Sequence, residues 1–209
     1  MFKIIKKILE RKLKYQGEVV LSYHIEYPQI VSNKRSIEVK RFNIYNEQLA
    51  VILKNKSERE WYQEAIELYR YNQENEYPMT QYEIVRTCEI TLHTNQSISL
   101  YADEYLFSGG AHGITTRSSQ NWNMASGRLI KLAELYPKNP YFLLAILQQI
   151  NEQITQNQEI YFEDACCLVI ETFHPESFYR VPNGIVIYFQ QYDIAPYSSG
   201  IREFDIQRK

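Results

Sequence analysis

The sequence predicts an α+β fold, with antiparallel sheet packed against helices in two associated subdomains. Three observations lead there. Stretches of period two and period 3.6 are segregated along the chain, not strictly alternating. Their order reads β–α–β–β, then β–α–α–β–β–β. The length, 209 residues, fits one large domain or two small ones and buries a sufficient core without staples. A soft boundary falls near residue 110. The expected division is a basic amphipathic segment at 1–14, one subdomain at 15–110 and a second at 111–209.

Residues 2–13 place Phe2, Ile5, Ile8, Leu9 and Leu13 on one helical stripe among lysines. This predicts a short terminal helix that either packs on the core or lies on a membrane surface. Residues 18–27 alternate, with Val19, Leu21, Tyr23, Ile25 and Tyr27 on one face, and Pro28 is expected to end that strand. From Lys34 to about Asn72 the period turns helical through Val39, Phe42, Tyr45, Leu49, Ile52 and Leu53. Ser57-Glu58-Arg59-Glu60 matches a capping box, so the helix restarts or kinks there.

Period two returns at 81–94, and Thr94-Asn95-Gln96 turns the chain into a second strand at 97–107. A polar strand follows at 114–124, then the turn Ser126-Gly127 and a short helix ending before Pro137. Asn139-Pro140 opens a helix with Leu143, Ile146, Leu147, Ile150 and Ile154 inward. A shorter helix puts one of Cys166 and Cys167 in its core stripe. Strands at 178–181 and 185–189 flank an Asn-Gly turn at Pro182-Asn183-Gly184, and 201–206 closes the fold.

Charge is nearly balanced, 23 basic against 25 acidic residues, which argues against a broad nucleic-acid face. The 18 tyrosines suit half-exposed sheets and recognition surfaces; drift in overall composition gives the same count. Three cysteines, Cys88, Cys166 and Cys167, form neither a disulfide framework nor a zinc spacing, and read as buried thiols. No apolar run approaches the roughly 18 residues of a membrane span. Residues 1–14 lack the apolar core of a secretory signal.

Two bends carry the polar and glycine-rich signals. The first is Phe107-Ser108-Gly109-Gly110-Ala111-His112-Gly113, which holds three of the seven glycines. There His112 either fixes the bend by a backbone hydrogen bond, with Gly109, Gly110 and Gly113 supplying positive φ, or meets a ligand. No Lys-Ser/Thr follows, so no phosphate loop forms, and no Gly-x-Ser-x-Gly elbow surrounds Ser108. The four histidines, His24, His93, His112 and His174, show no ligand spacing, and His24 and His93 are expected to be solvated. Asp103 with Glu104, and Asp193 with Glu203, are the available carboxylate pairs. The second bend is Ala195-Pro196-Tyr197-Ser198-Ser199-Gly200, a rigid proline beside an aromatic that serves as a binding wedge or as a packed turn.

Tyr105–Gly113, Trp122, Ser126-Gly127-Arg128-Leu129, Leu132 and Leu135 make one half of a family pattern. Gly184–Phe189, Tyr192–Tyr197 and Gly200 make the other half. Over roughly residues 15–206 the chain resembles the paired extracytoplasmic domains of unknown function in lysozyme-sensing anti-sigma factors, which also precede some peptidoglycan deacetylase domains. The resemblance implies an extracytoplasmic α+β module without established catalysis; no cofactor or metal is expected. Its partner would be lysozyme or another cell-wall-associated protein or glycan. The implied contacts are Ser108, Gly109, Gly110, Ala111 and His112 in one loop and Pro196 and Tyr197 in the other. The alternative expectation is a cell-wall-glycan hydrolase using His112 with Asp103 or Asp193.

Overall fold

The structure is a computed structural model that describes residues 3–33 and 36–207. Two compact units make it up, and the chain passes between them at 88/89, 101/102 and 115/116. The first unit holds residues 1–88 and 102–115, the second 89–101 and 116–209. Mixed α and β content in two sheet-containing units is the α+β architecture expected.

The first unit opens on a hairpin, β1 (Lys3–Tyr15) and β2 (Glu18–Val31), paired antiparallel from Lys3↔Val31 to Tyr15↔Glu18. The helix expected over 2–13 is therefore a strand, and Phe2 lies outside the described residues. Leu9 and Leu13 sit four apart, which satisfies a helical stripe and also every second position of a strand. Pairing with β2 decides the matter: Leu9, Leu13 and Tyr15 pack on the core. Gln16 and Gly17 both take positive φ, +49° and +91°, as a two-residue turn matched to strand twist requires.

Strand β2 runs three residues past Pro28. Its ladder with β3 (Tyr82–His93) covers only Leu21 to Ile25, so Pro28 lies beyond that ladder, where its missing N–H is tolerated. Further along, the Asn43 side chain replaces a strand: its Oδ1 accepts from Ile30 N–H at 2.7 Å and its Nδ2 donates to the Ile30 carbonyl at 2.9 Å.

Helix α1 (Ile37–Lys56), capped by Ser36, continues through a π turn at Ser57–Trp61 into α2 (Tyr62–Glu74). Lys34, the expected start of this region, lies outside the described residues. Ser57 does not cap a new helix; its hydroxyl donates back to the Leu53 carbonyl at 2.9 Å, a bond that competes with the regular ladder. Val39, Phe42, Ala50 and Leu53 are buried, whereas Tyr45 and Ile52 face outward. Because two helices intervene, β2 and β3 pair in parallel.

The strand order of the larger sheet is β1-β2-β3-β4-β5-β6, with β4 at Ser97–Phe107, β5 at Ile114–Asn123 and β6 at Arg128–Leu129. Strands β3, β4 and β5 each contribute residues to both units. Strand β6 and a single 3₁₀ turn, Leu132–Leu135, replace the helix expected after Gly127.

In the second unit α3 (Phe142–Gln156) buries Ile146, Ile150 and Ile154. They meet Ala165 and Val169 of α4 (Ala165–Thr172). Beneath lie Phe178, Ile185, Ile187, Phe189, Phe204 and Ile206 from the sheet of β7 (Phe178–Val181), β8 (Gly184–Phe189) and β9 (Arg202–Ile206). Since α4 turns Ala165 and Val169 inward, Cys166 and Cys167 point outward and are exposed, against expectation; Cys88 is buried. The β7–β8 turn is Pro182-Asn183, and neither residue has positive φ. Gly184 is instead needed for close approach: a Cβ there would lie 2.6 Å from the Ile206 carbonyl oxygen.

Candidate functional site

The first bend joins β4 to β5. Only one of its three glycines, Gly109, takes positive φ, +92°, which corrects the reading that all three do. Gly113 is buried where the chain folds back on β4. A Cβ on Gly113 would stand 2.4 Å from the Tyr105 ring and 2.6 Å from the Leu106 carbonyl oxygen. At Gly109 a Cβ would meet Leu68 of α2 at 2.4 Å and the Thr80 hydroxyl at 3.1 Å. At Gly110 a Cβ would make only an ordinary contact, 3.9 Å from the His112 carbonyl oxygen. The bend is thus pinned at both ends, while Ser108, Gly110, Ala111 and His112 form its exposed tip. The His112 Nδ1 lies 3.3 Å from the carbonyl oxygen of its neighbour Gly113.

The floor of this bend is ordered by Asn72, a buried residue near the end of α2. Its Nδ2 donates to the Pro78 carbonyl at 3.2 Å and the Thr80 hydroxyl at 3.4 Å. The chain reversal between them uses Glu76 at φ +56° and the bond from Tyr77 N–H to the Asn72 carbonyl at 2.9 Å. Tyr71 and Tyr77 meet there, ring centroids 5.9 Å apart.

The second bend lies wholly in the second unit. Ile194 and Ala195 are buried anchors, Pro196 is exposed and Tyr197 is half-buried in a 3₁₀ turn. Tyr192, at φ +70°, stands 5.7 Å from the Tyr197 ring. Ser199 ties the turn down by donating to the Ile160 carbonyl at 3.0 Å. Ser108–His112 and Pro196–Tyr197 therefore belong to different units, and each bend is built from its own unit's contacts.

The paired carboxylates are engaged in structure. Glu104 pairs with Arg86, which is itself buried. Asp193 accepts from the Gln190 backbone N–H at 2.7 Å, closing the loop before the second bend. Glu203 accepts from Arg117 and, at 2.7 Å, from the Tyr179 hydroxyl. Burial, and next the bond to Glu203, raise the Tyr179 hydroxyl well above its ordinary pKa. The Arg117 guanidinium stacks 3.8 Å from the Tyr101 ring centroid, a cation–π contact that supports a half-buried cation beside its carboxylate. The sequence gives no sign of this set, because its members lie on four strands.

His24 lies 3.1 Å from Glu10. His93 is half-buried, not solvated, and its Nε2 has no hydrogen-bond partner; burial lowers its pKa. Among the described residues no group of three or more His, Cys, Asp or Glu side chains is placed to hold a metal. A cavity of about 430 Å³ in the first unit is lined by Glu10, Lys12, Ser22, His24 and Glu83. Another, about 460 Å³, lies in the second unit between Leu129, Leu132, Phe142, Leu143 and Phe178.

The two α+β units resemble the paired domains found near deacetylase domains. Residues 15–115 match the family described as Deacetylase PdaC, and residues 133–209 match the Protein of unknown function family DUF3298. A curated relative is the peptidoglycan-N-acetylmuramic acid deacetylase PdaC of Bacillus subtilis, 20% identical over 177 residues. The match takes in 83% of this chain and 34% of the relative, so the chain spans about a third of that protein's length. A crystal structure of a DUF3298 family member from Bacteroides fragilis superposes with a TM-score of 0.73 at 18% identity, covering 99% of this chain and 90% of that one. One from Pseudomonas aeruginosa gives 0.68 at 15% identity, with 99% and 91% coverage. At these identities the two crystal structures establish the shared fold.

Proposed function

We propose that the chain is a non-catalytic binding module for a cell-wall-associated protein or glycan, with lysozyme as the first protein to test. The observation that carries this reading is the first bend. Its exposed tip, Ser108 to His112, stands on glycines locked by Tyr105, Leu68 and Thr80. A contact surface held in one conformation loses little entropy on binding. Pro196 and Tyr197 supply the second contact, a rigid wedge with an aromatic face. The likeness to a peptidoglycan deacetylase supports a cell-wall setting. Among the described residues no helix is long and apolar enough to cross a membrane. Hydrolysis would require His112 beside an available Asp103 or Asp193; Asp193 belongs to the other unit and accepts from the Gln190 N–H, and Asp103 is engaged by its own neighbours, which favours binding.

The test is calorimetric titration of the folded chain with lysozymes of several types. We expect saturable binding that weakens about tenfold in His112→Ala and in Tyr197→Ala, the effect of losing a contact residue. If no lysozyme binds the folded protein, the lysozyme version fails. Binding unaffected by either substitution would move the site away from both bends.

A further inference from the structure

The reversal that orders the floor of the first bend carries exposed aromatic side chains. Tyr71, Tyr77 and Met79 are each more than half exposed, at 55, 54 and 51%. They lie on α2 and on the reversal that Asn72 holds against Thr80, whose hydroxyl stands 3.1 Å from where a Cβ on Gly109 would be. Clustered exposed tyrosine and methionine on an ordered backbone is the composition of a recognition surface. Such a patch is costly to leave in water without a use.

The charged side chains beside it are mostly acidic. Glu67, Tyr71 and Glu74 are exposed and spaced i, i+4, i+7, so they share a face of α2. Glu76 follows within the reversal. The nearest cation in sequence, Arg70, is engaged by Tyr15: its Nε and Nη2 donate to the Tyr15 hydroxyl at 3.0 and 2.9 Å, and it lies over the Tyr15 ring. No ion pair engages Glu67, Glu74 or Glu76 among the described residues. A cationic partner would find both complementary charge for encounter and aromatic area for retention.

We infer that Tyr71, Tyr77 and Met79, ringed by Glu67, Glu74 and Glu76, extend the first bend into a docking surface for a protein with a basic face. This rests on the reading of Ser108–His112 as a contact loop, and it names the chemistry of the partner. The tyrosines supply the contact area; the glutamates select for positive charge and speed association. Binding should therefore weaken as salt is raised.

The experiment uses the full chain and two basic proteins, lysozyme and cytochrome c, each also in a succinylated form that reverses its charge. Binding is followed by calorimetry at low and physiological salt. We expect the unmodified proteins to bind and the succinylated ones to fail. Tyr71→Ala with Tyr77→Ala should weaken binding at least tenfold, and Glu67→Gln, Glu74→Gln and Glu76→Gln together about tenfold, with circular dichroism unchanged. If lysozyme binds through the bends but neither set of variants weakens it, this inference falls and the bend reading stands. If only cytochrome c binds, and needs both sets, the inference stands and the lysozyme reading falls. Failure of both basic proteins ends both. Sedimentation of the chain alone closes the test: self-association abolished by the glutamate variants would assign the surface to a second copy and overturn the proposal.

Discussion

In the bend of the first unit, glycine provides room; in the bend of the second, it provides a backbone angle. A Cβ on Gly113 would enter the Tyr105 ring and the Leu106 carbonyl, although Gly113 has no positive φ. Gly200 is the converse. It takes φ +65° and ψ −157° with nothing within 4 Å of where a Cβ would stand. Gly109 combines both demands, and Gly110 has neither. The same residue type, close to a contact loop each time, is thus required for different physical reasons. The first kind of bend is held by its neighbours and the second by its own torsions.

Substitutions by alanine sharpen that difference, taken from the largest expected effect downward. Gly113→Ala should destabilise the first unit by about 3 kcal/mol, because a carbonyl oxygen cannot yield and overpacking is costly. Faster amide exchange across β4 and β5 would report it; unchanged exchange would remove the claim that space decides this position. Gly109→Ala should cost about 2 kcal/mol, part clash and part left-handed backbone. Adding Leu68→Ala should make the two costs non-additive, since truncating Leu68 relieves the clash and leaves the torsion. Strict additivity in a denaturation cycle would refute the contact.

Gly200→Ala should cost about 1–2 kcal/mol from torsion alone. No second-site truncation should relieve it, and its effect should appear in exchange at β9, not at β4. Gly110→Ala should be neutral, or stabilise by up to about 0.5 kcal/mol by restricting the unfolded chain. A loss of more than about 1 kcal/mol there would show that the tip is packed more tightly than the single 3.9 Å contact at Gly110 indicates.

His93 gives a smaller, pH-dependent contrast within the second unit. Its pKa is lowered in the fold by burial, so between the folded and unfolded values the unfolded chain binds more protons. Stability should be unaffected above the ordinary histidine pKa of about 6.5 and should fall as pH drops below it. Urea midpoints measured against pH should lose this decline in His93→Gln. A decline that persists in the variant would assign it to other groups.

Much of the fold was legible because period two and period 3.6 differ clearly over long stretches. Strands at 82–93, 97–107 and 114–123, and α3 with its Ile146-Ile150-Ile154 stripe, fall where the pattern predicts. Residues 3–15 are ambiguous because Leu9 and Leu13 fit either period, and the pairing set by the turn at Gln16-Gly17 decides for a strand. The vicinal cysteines misled because a helix with two inward residues leaves the positions between them free to point outward. Both bends were located from glycine and proline alone. Their surroundings were not, since Leu68 and Thr80, which a Cβ on Gly109 would meet, lie roughly forty and thirty residues before it.

Alone, the sequence determined the α+β class, the places where the chain must turn, and the likeness to paired domains beside deacetylases. Those properties depend on residue type and local spacing. Tertiary structure decided which glycine serves space and which serves torsion, which carboxylates are occupied, and where aromatic and acidic side chains share a face. Those depend on distances between residues far apart in the chain, which no local pattern records.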